Sequence, residues 1–193
     1  AFQYLRVLPN GYRPTGTLLE GSDGVLYGTT ERGGFNDGGT VFRLNRDGTA
    51  FATLVELEGR PVAGLTEAPG PDGTPHLFGV ETTGLNQVTQ FGAIFQLPRI
   101  GAGLVRLSAF TASDADGDTP RSPLLLGRDG ALYGTTTSEN IACPPENCGT
   151  VFRVTPSGRP FSLFTFPRVA GGAPMGALVQ GPDGTLYGTA RVG

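Results

Sequence analysis

The chain has 193 residues, with 32 Gly, 16 Pro and a formal charge of −3. All of its basic residues are Arg, and they do not cluster, so it lacks the electrostatic footprint of a nucleic-acid or anionic-membrane binder. No apolar run approaches the roughly 20 residues that cross a bilayer, which excludes direct helical insertion into a membrane.

Gly and Pro make up about a quarter of the chain, yet they punctuate short apolar runs at regular intervals, as in turn-rich β proteins. One phrase explains the regularity. GSDGVLYGTT at 21–30 returns as GRDGALYGTT at 127–136 and GPDGTLYGTA at 181–190, with a degenerate copy, GPDGTPHLFGV, at 70–80. A second phrase follows it: GTVFRLNRDG at 39–48, GAIFQLPRIG at 92–101 and GTVFRVTPSG at 149–158. A third closes each unit: FATLVEL at 51–57, LVRLSAF at 104–110 and FSLFTF at 161–166.

Each unit of about 50 residues predicts four short strands, A to D. In the third copy these are 123–127, 131–137, 150–155 and 161–166, with turns at 128–130 and 156–158. The Asp-Gly pairs 23–24, 72–73, 129–130 and 183–184 are expected to supply the positive-φ residues of tight A–B hairpins. No segment sustains a 3.6-residue apolar period, so helix is expected to be nearly absent. Four antiparallel strands per unit predict an all-β protein, a β-propeller of four-stranded blades with about 3.5 blades in this chain. A solenoid of stacked hairpins is the rival architecture. Leu26, Phe42, Leu132 and Phe152 are the expected filling between blades.

By unit, residues 1–11 read as the closing strand of a preceding blade, 12–59, 60–118 and 119–171 as blades, and 172–193 as the first half of another. On this reading the chain is expected to be part of a longer protein. The LYGTT phrase, the loop GGFNDGGTVFRL and the aromatic strand that follows resemble the GloVer tandem repeat, the Gloeo/Verruco-type LYGTT repeat proteins. The first unit fits best, through Leu26 to Thr30, Gly33, Gly34 and Gly39 to Phe42. The second departs at Phe78, Val80 and Ala93, and the third carries a cysteine-bearing insertion in place of the Gly-Gly loop. The resemblance implies a β-propeller-like bacterial protein that is secreted or on the cell surface, and it brings no catalytic motif.

Cys143 and Cys148 bracket CPPENC, a short loop that a disulfide would staple. Free thiols are the alternative, and a zinc site would need two further ligands where His76 is the only histidine. A disulfide would imply an oxidising compartment, periplasmic or extracellular. In SDADGDTP, Asp114, Asp116 and Asp118 resemble an oxygen-rich Ca²⁺ loop, although Thr119 stands where an EF-hand requires Gly. The same run also reads as the polar D-to-A connection. Calcium is the only cofactor the sequence raises.

His76 reads as a polar residue on a strand edge, and no nucleophile accompanies it. Thr29–Thr30 and Thr135–Thr136 read as packing residues, since the second and fourth copies do not keep the pair. What differs between copies are the B–C loops at 31–38, 81–91 and 138–147, and loops on a rigid frame are where specificity resides. Arg32, Phe35, Asn36, Asn86, Gln87 and Asn140 are therefore the candidate ligand contacts. The expected function is a non-enzymatic extracytoplasmic scaffold for a protein or carbohydrate partner. The alternatives are a structural subunit of a larger assembly, or a glycan-active enzyme with carboxylates converging on the channel mouth.

Overall fold

The computed structural model describes residues 10–82, 91–110, 119–137, 148–155, 158, 160–167 and 172–192. Among them all regular structure is strand. The first unit comprises β1 (Gly11–Tyr12), β2 (Leu19–Glu20), β3 (Leu26–Thr30), β4 (Arg32–Gly33), β5 (Thr40–Leu44) and β6 (Ala52–Glu56). The second comprises β7 (Thr66–Pro69), β8 (Pro75–Glu81), β9 (Ala93–Pro98) and β10 (Val105–Ala109). The third comprises β11 (Leu125–Leu126), β12 (Leu132–Thr136), β13 (Thr150–Val154) and β14 (Phe161–Thr165). Last come β15 (Gly172–Pro174), β16 (Val179–Gln180), β17 (Leu186–Tyr187) and β18 (Ala190–Val192).

Three sheets have the predicted four strands. β2-β3-β5-β6, β7-β8-β9-β10 and β11-β12-β13-β14 are four-stranded antiparallel meanders, and β16–β17 is the A–B hairpin of a fourth. Register repeats residue for residue: Gly28 faces Phe42, Gly79 faces Phe95 and Gly134 faces Phe152. A bulge recurs as well. The outermost strand of each sheet shifts register opposite that phenylalanine, skipping Leu54, Leu107 and Leu163.

The A–B turns fix this register. In the first, the Gly24 amide donates to the Gly21 carbonyl at 2.8 Å and the Gly21 amide to the Val25 carbonyl at 2.9 Å, and the other three A–B turns repeat the pair. This is a three-residue hairpin loop closed by a glycine bulge, with Gly24, Gly73, Gly130 and Gly184 at φ 75 to 86°. Only the glycine of each Asp-Gly pair has positive φ, which corrects the expectation that both residues supply it. The aspartate works through its side chain: Oδ1 of Asp23, Asp72, Asp129 and Asp183 accepts the amide two residues on, at 3.0 to 3.2 Å. Its second contact depends on that neighbour. Where it is Val25 or Ala131, the strand-B tyrosine donates its hydroxyl, Tyr27 at 2.8 Å and Tyr133 at 2.9 Å. Where it is Thr74 or Thr185, the threonine hydroxyl donates instead.

The core lies between sheets. Tyr27, Val41 and Leu57 of the first unit pack on Leu65, Leu77 and Phe95 of the second. Phe78, Ile94 and Phe110 of the second pack on Leu124, Leu132 and Phe152 of the third. Tyr133 and Ala131 of the third meet Leu178. Strand B thus aims its aromatic forward, and strand C aims its phenylalanine back. Phe42, Leu132 and Phe152 are buried as expected, while Leu26 is half-buried because Tyr27 takes the core side. Polar ties accompany the apolar contact: Thr29 Oγ1 donates to the Ala63 carbonyl at 3.1 Å, and Thr135 Oγ1 to the Pro174 carbonyl at 3.2 Å.

Candidate functional site

The B–C loop at 31–38 is the fully described member of the variable set, and a short local sheet builds it. β1 pairs with β4, Gly11 opposite Gly33 and Tyr12 opposite Arg32. The Gly33 amide sits at φ 102°, and a Cβ there would collide with the Asn10 backbone, so glycine is required by close approach. The chain then turns through Gly34, Phe35 and Asn36 into Asp37, itself left-handed at φ 53°.

Asp37 ties the loop shut. Its carboxylate accepts the Gly33 amide at 3.0 Å, the Tyr12 hydroxyl at 2.9 Å and the Arg32 guanidinium at 2.5 Å. The Arg32 bond, then the Gly33 amide and Tyr12, hold the Asp37 carboxyl down to about 2. The same bond to Asp37 raises the Tyr12 phenol. Glu56 on β6 secures the far side, its carboxylate accepting the Phe35 amide at 2.7 Å. The loop therefore holds Phe35 with its side chain in water, 91% exposed, between the half-buried Arg32 and the exposed Asn36. Isolated exposed apolar residues are common, but an aromatic on a loop whose neighbours' polar groups are bonded inward is preorganised for contact.

Of the six predicted contacts, the structure places Arg32, Phe35 and Asn36 on this one loop. Arg32 faces inward as a strut of it, so Phe35 and Asn36 are the outward members. Asn86, Gln87 and Asn140 lie outside the described residues, as do Asp114, Asp116, Asp118 and Cys143. Cys148 is 1% exposed, its amide donating to the Phe166 carbonyl at 2.8 Å. No group of three or more His, Cys, Asp or Glu side chains among the described residues is arranged to hold a metal ion.

What sequence reasoning could not supply is the pairing of the acids, which arginine gathers. Arg99 bridges Asp23 of one unit and Glu67 of the next, at 3.2 and 3.0 Å. Arg106 bridges Glu81 at 2.5 Å and Glu58 at 3.3 Å. Glu81 is wholly buried at the strand-B position where the flanking units have Thr30 and Thr136, and its other oxygen accepts the Gly59 amide at 3.1 Å. Each carboxylate pair thus shares one arginine, which offsets one of its two charges and ties adjoining segments together. The signal for Glu81 was its departure from the repeat. His76, expected on a strand edge, is instead buried on β8 opposite Pro98, its Nδ1 3.1 Å from the Thr74 carbonyl oxygen. The Thr pairs are packed as expected: Thr29, Thr30, Thr135 and Thr136 are at most 2% exposed, and Thr30 and Thr136 bond across the sheet to Thr40 and Thr150 at 2.9 and 2.7 Å.

Among solved structures, the chain is similar to one from a nidogen/laminin complex, with a TM-score of 0.60 and 16% identity over 91% of this chain and 56% of that one. It is also similar to a thermostable family-43 glycoside hydrolase, with a TM-score of 0.50 and 14% identity over 89% of this chain and 62% of that one. The chain thus spans less than two thirds of these structures, and at such identity the likeness is one of fold, of the propeller type. No curated protein matches the sequence. The Gloeobacter/Verrucomicrobia repeat matches residues 13–193, nearly the whole length over which the LYGTT hairpin, the strand-C phenylalanine and the interlocked sheets recur. The chain belongs to the Gloeobacter/Verrucomicrobia repeat family.

Proposed function

We propose that the protein is a non-enzymatic extracytoplasmic scaffold that engages a protein or glycan partner through its B–C loops, with the loop at 31–38 as a contact element. The observation that carries this reading is Phe35, fully presented on a loop that Asp37 and Glu56 hold in place. An aromatic so held offers a flat apolar face to a sugar ring or a partner side chain at little entropic cost. A protein partner is the first to test, because one similar fold comes from a nidogen/laminin complex. The periplasm, cell surface or extracellular space fits a Cys143–Cys148 disulfide closing the third loop, and Asp114, Asp116 and Asp118 remain the place to seek Ca²⁺.

The similar glycoside hydrolase fold makes glycan cleavage the competing reading. Glycoside hydrolysis needs two carboxyl groups that can act as acid and as base or nucleophile. Asp23 with Glu67, and Glu58 with Glu81, each have an arginine between them. The deciding experiment probes a glycan array and immobilised envelope proteins with the chain and with Phe35→Ala. Specific binding lost in Phe35→Ala supports the scaffold reading; binding indifferent to Phe35 refutes the loop's role. Turnover of an aryl-glycoside panel would overturn the non-enzymatic assignment.

A further inference from the structure

Each A–B turn holds one variable residue between its glycine and its aspartate: Ser22, Pro71, Arg128 and Pro182. Strand A varies as well, opposite the leucine of strand B, with Glu67 facing Leu77, Leu126 facing Leu132 and Gln180 facing Leu186. The two sets meet across the joins between units. At the first join the Ser22 amide donates to Glu67 Oε2 at 2.8 Å and the Ser22 hydroxyl to Oε1 at 3.2 Å. At the third the Arg128 amide donates to Gln180 Oε1 at 3.0 Å. In both cases the acceptor belongs to the unit that follows, 45 and 52 residues on.

The second join departs on both sides at once. Pro71 has no N–H to give, and the Leu126 side chain has no atom to receive one. Leu126 is 36% exposed, an apolar residue left partly in water where its equivalents are polar. The two acceptors are also matched in type. Gln180 Nε2 donates to the Gly184 carbonyl at 3.1 Å while its Oε1 takes the Arg128 amide, so a carboxamide satisfies both; a carboxylate would set oxygen against oxygen. Glu67 Oε1 instead takes Arg99 at 3.0 Å, and Arg99 also donates to the Ser22 hydroxyl at 3.1 Å, which favours a carboxylate there.

We propose that this turn residue and the facing strand-A residue form a recognition surface between units, in which the turn reads the unit that docks on it. The Ser22 turn fits a strand A bearing a carboxylate, the Arg128 turn one bearing a carboxamide, and the Pro71 turn one bearing an apolar side chain. The proline turn also selects against the first two, because an acceptor laid against it loses water and gains no donor. Register, hairpins and core phenylalanines are nearly alike in every unit and cannot tell one join from another. This pair differs at each join. The surface is separate from the loop at 31–38 and does not depend on the function proposed for it.

The test is a pair of double-mutant cycles read by urea unfolding of the 193-residue chain. Ser22→Pro with Glu67→Leu rewrites the first join as the second, and proline suits the position because two of the four turns already carry it. Glu67→Leu should destabilise the parent but have far less effect in the Ser22→Pro background, with a coupling of about threefold or more in the unfolding constant. Pro71→Ser with Leu126→Glu makes the reverse exchange, and Leu126→Glu should stabilise only in the Pro71→Ser background. The effect of proline on the unfolded chain cancels within each cycle. By amide exchange, Glu67→Leu should expose the Ser22 amide about tenfold and leave that of Arg128 unchanged, while Gln180→Leu does the opposite. Additive effects in either cycle, or equal loss of protection at both amides, would overturn the proposal. The second cycle decides the matter if Ser22→Pro does not fold.

Discussion

Replacing Phe152 with alanine probes the stacking of the units. Phe152 is fully buried between the second and third sheets, its ring 5.5 Å from that of Phe110 and lying over Gly134. Removing it leaves a hole walled by a glycine that cannot reach in and by strands fixed in register, so collapse is limited. The cost expected for such a truncation is about 3–5 kcal/mol. At roughly 2–4 °C per kcal/mol for a chain of this size, the melting temperature should fall by about 6–20 °C. Phe161 is the control, the same substitution on β14 at a site 68% exposed, with an expected effect within about 0.5 kcal/mol. Because stability in a stacked array is a sum of unit and nearest-neighbour terms, the damage is also confined to one interface. Calorimetry of Phe152→Ala should therefore broaden or split into two transitions, while Phe161→Ala keeps the parent profile. Equal melting temperatures for the two variants would refute the assignment of the core to the space between sheets.

The pH dependence follows from two further groups. Tyr27 is raised to about 12, mainly by burial and then by its bond to Asp23. Its neutral form is the buried one, so this contribution to stability is complete below pH 10 and is lost as pH rises through about 12. An absorbance titration at 295 nm should show a late phenol near pH 12 that disappears in Tyr27→Phe. Asp37 is depressed to about 2, so the loop tie is intact above the ordinary carboxyl range near 4 and is lost as pH falls through about 2. NMR of the Gly33 amide should report that transition, and Asp37→Asn should shift the same signal at neutral pH. Glu81→Ala strands Arg106, whose side chain is a quarter exposed and retains Glu58 at 3.3 Å, so a loss of about 2–3 kcal/mol is expected in urea unfolding. A loss as small as that of a surface substitution would show that the pair holds nothing together.

Much of the frame was legible because each element writes its own signature. The Gly-x-Asp-Gly turns place the hairpins, and the small-Val-Phe-Arg pattern of strand C recurs around the phenylalanine that needs it. Conformation inside those turns was less legible: Asp23 and Gly24 both tolerate positive φ, and the aspartate's bonds to Val25 and Tyr27 decide that only the glycine adopts it. The contact loop shows the same limit. Phe35 could be placed on a variable loop from sequence, but its fixation by Asp37 relies on Tyr12, 25 residues earlier in chain order and brought near by pairing of β1 with β4. Burial of His76 and Glu81 was hidden for a related reason, since a polar residue inside a strand says nothing of which neighbour will cover it.

Glu81 has a consequence for a chain made of near-copies. Strands alike in pattern can pair with the wrong partner during folding, and a one-unit error would satisfy most hydrogen bonds and most apolar contacts. If β8 took the place of β3 against β5, Glu81 would be buried opposite Thr40, away from Arg106 and the Gly59 amide. An unpaired buried carboxylate is expensive enough to reject that arrangement. A carboxylate where the flanking units have threonine thus serves the second unit as an address, giving a repetitive chain a mark from which its sheets are counted.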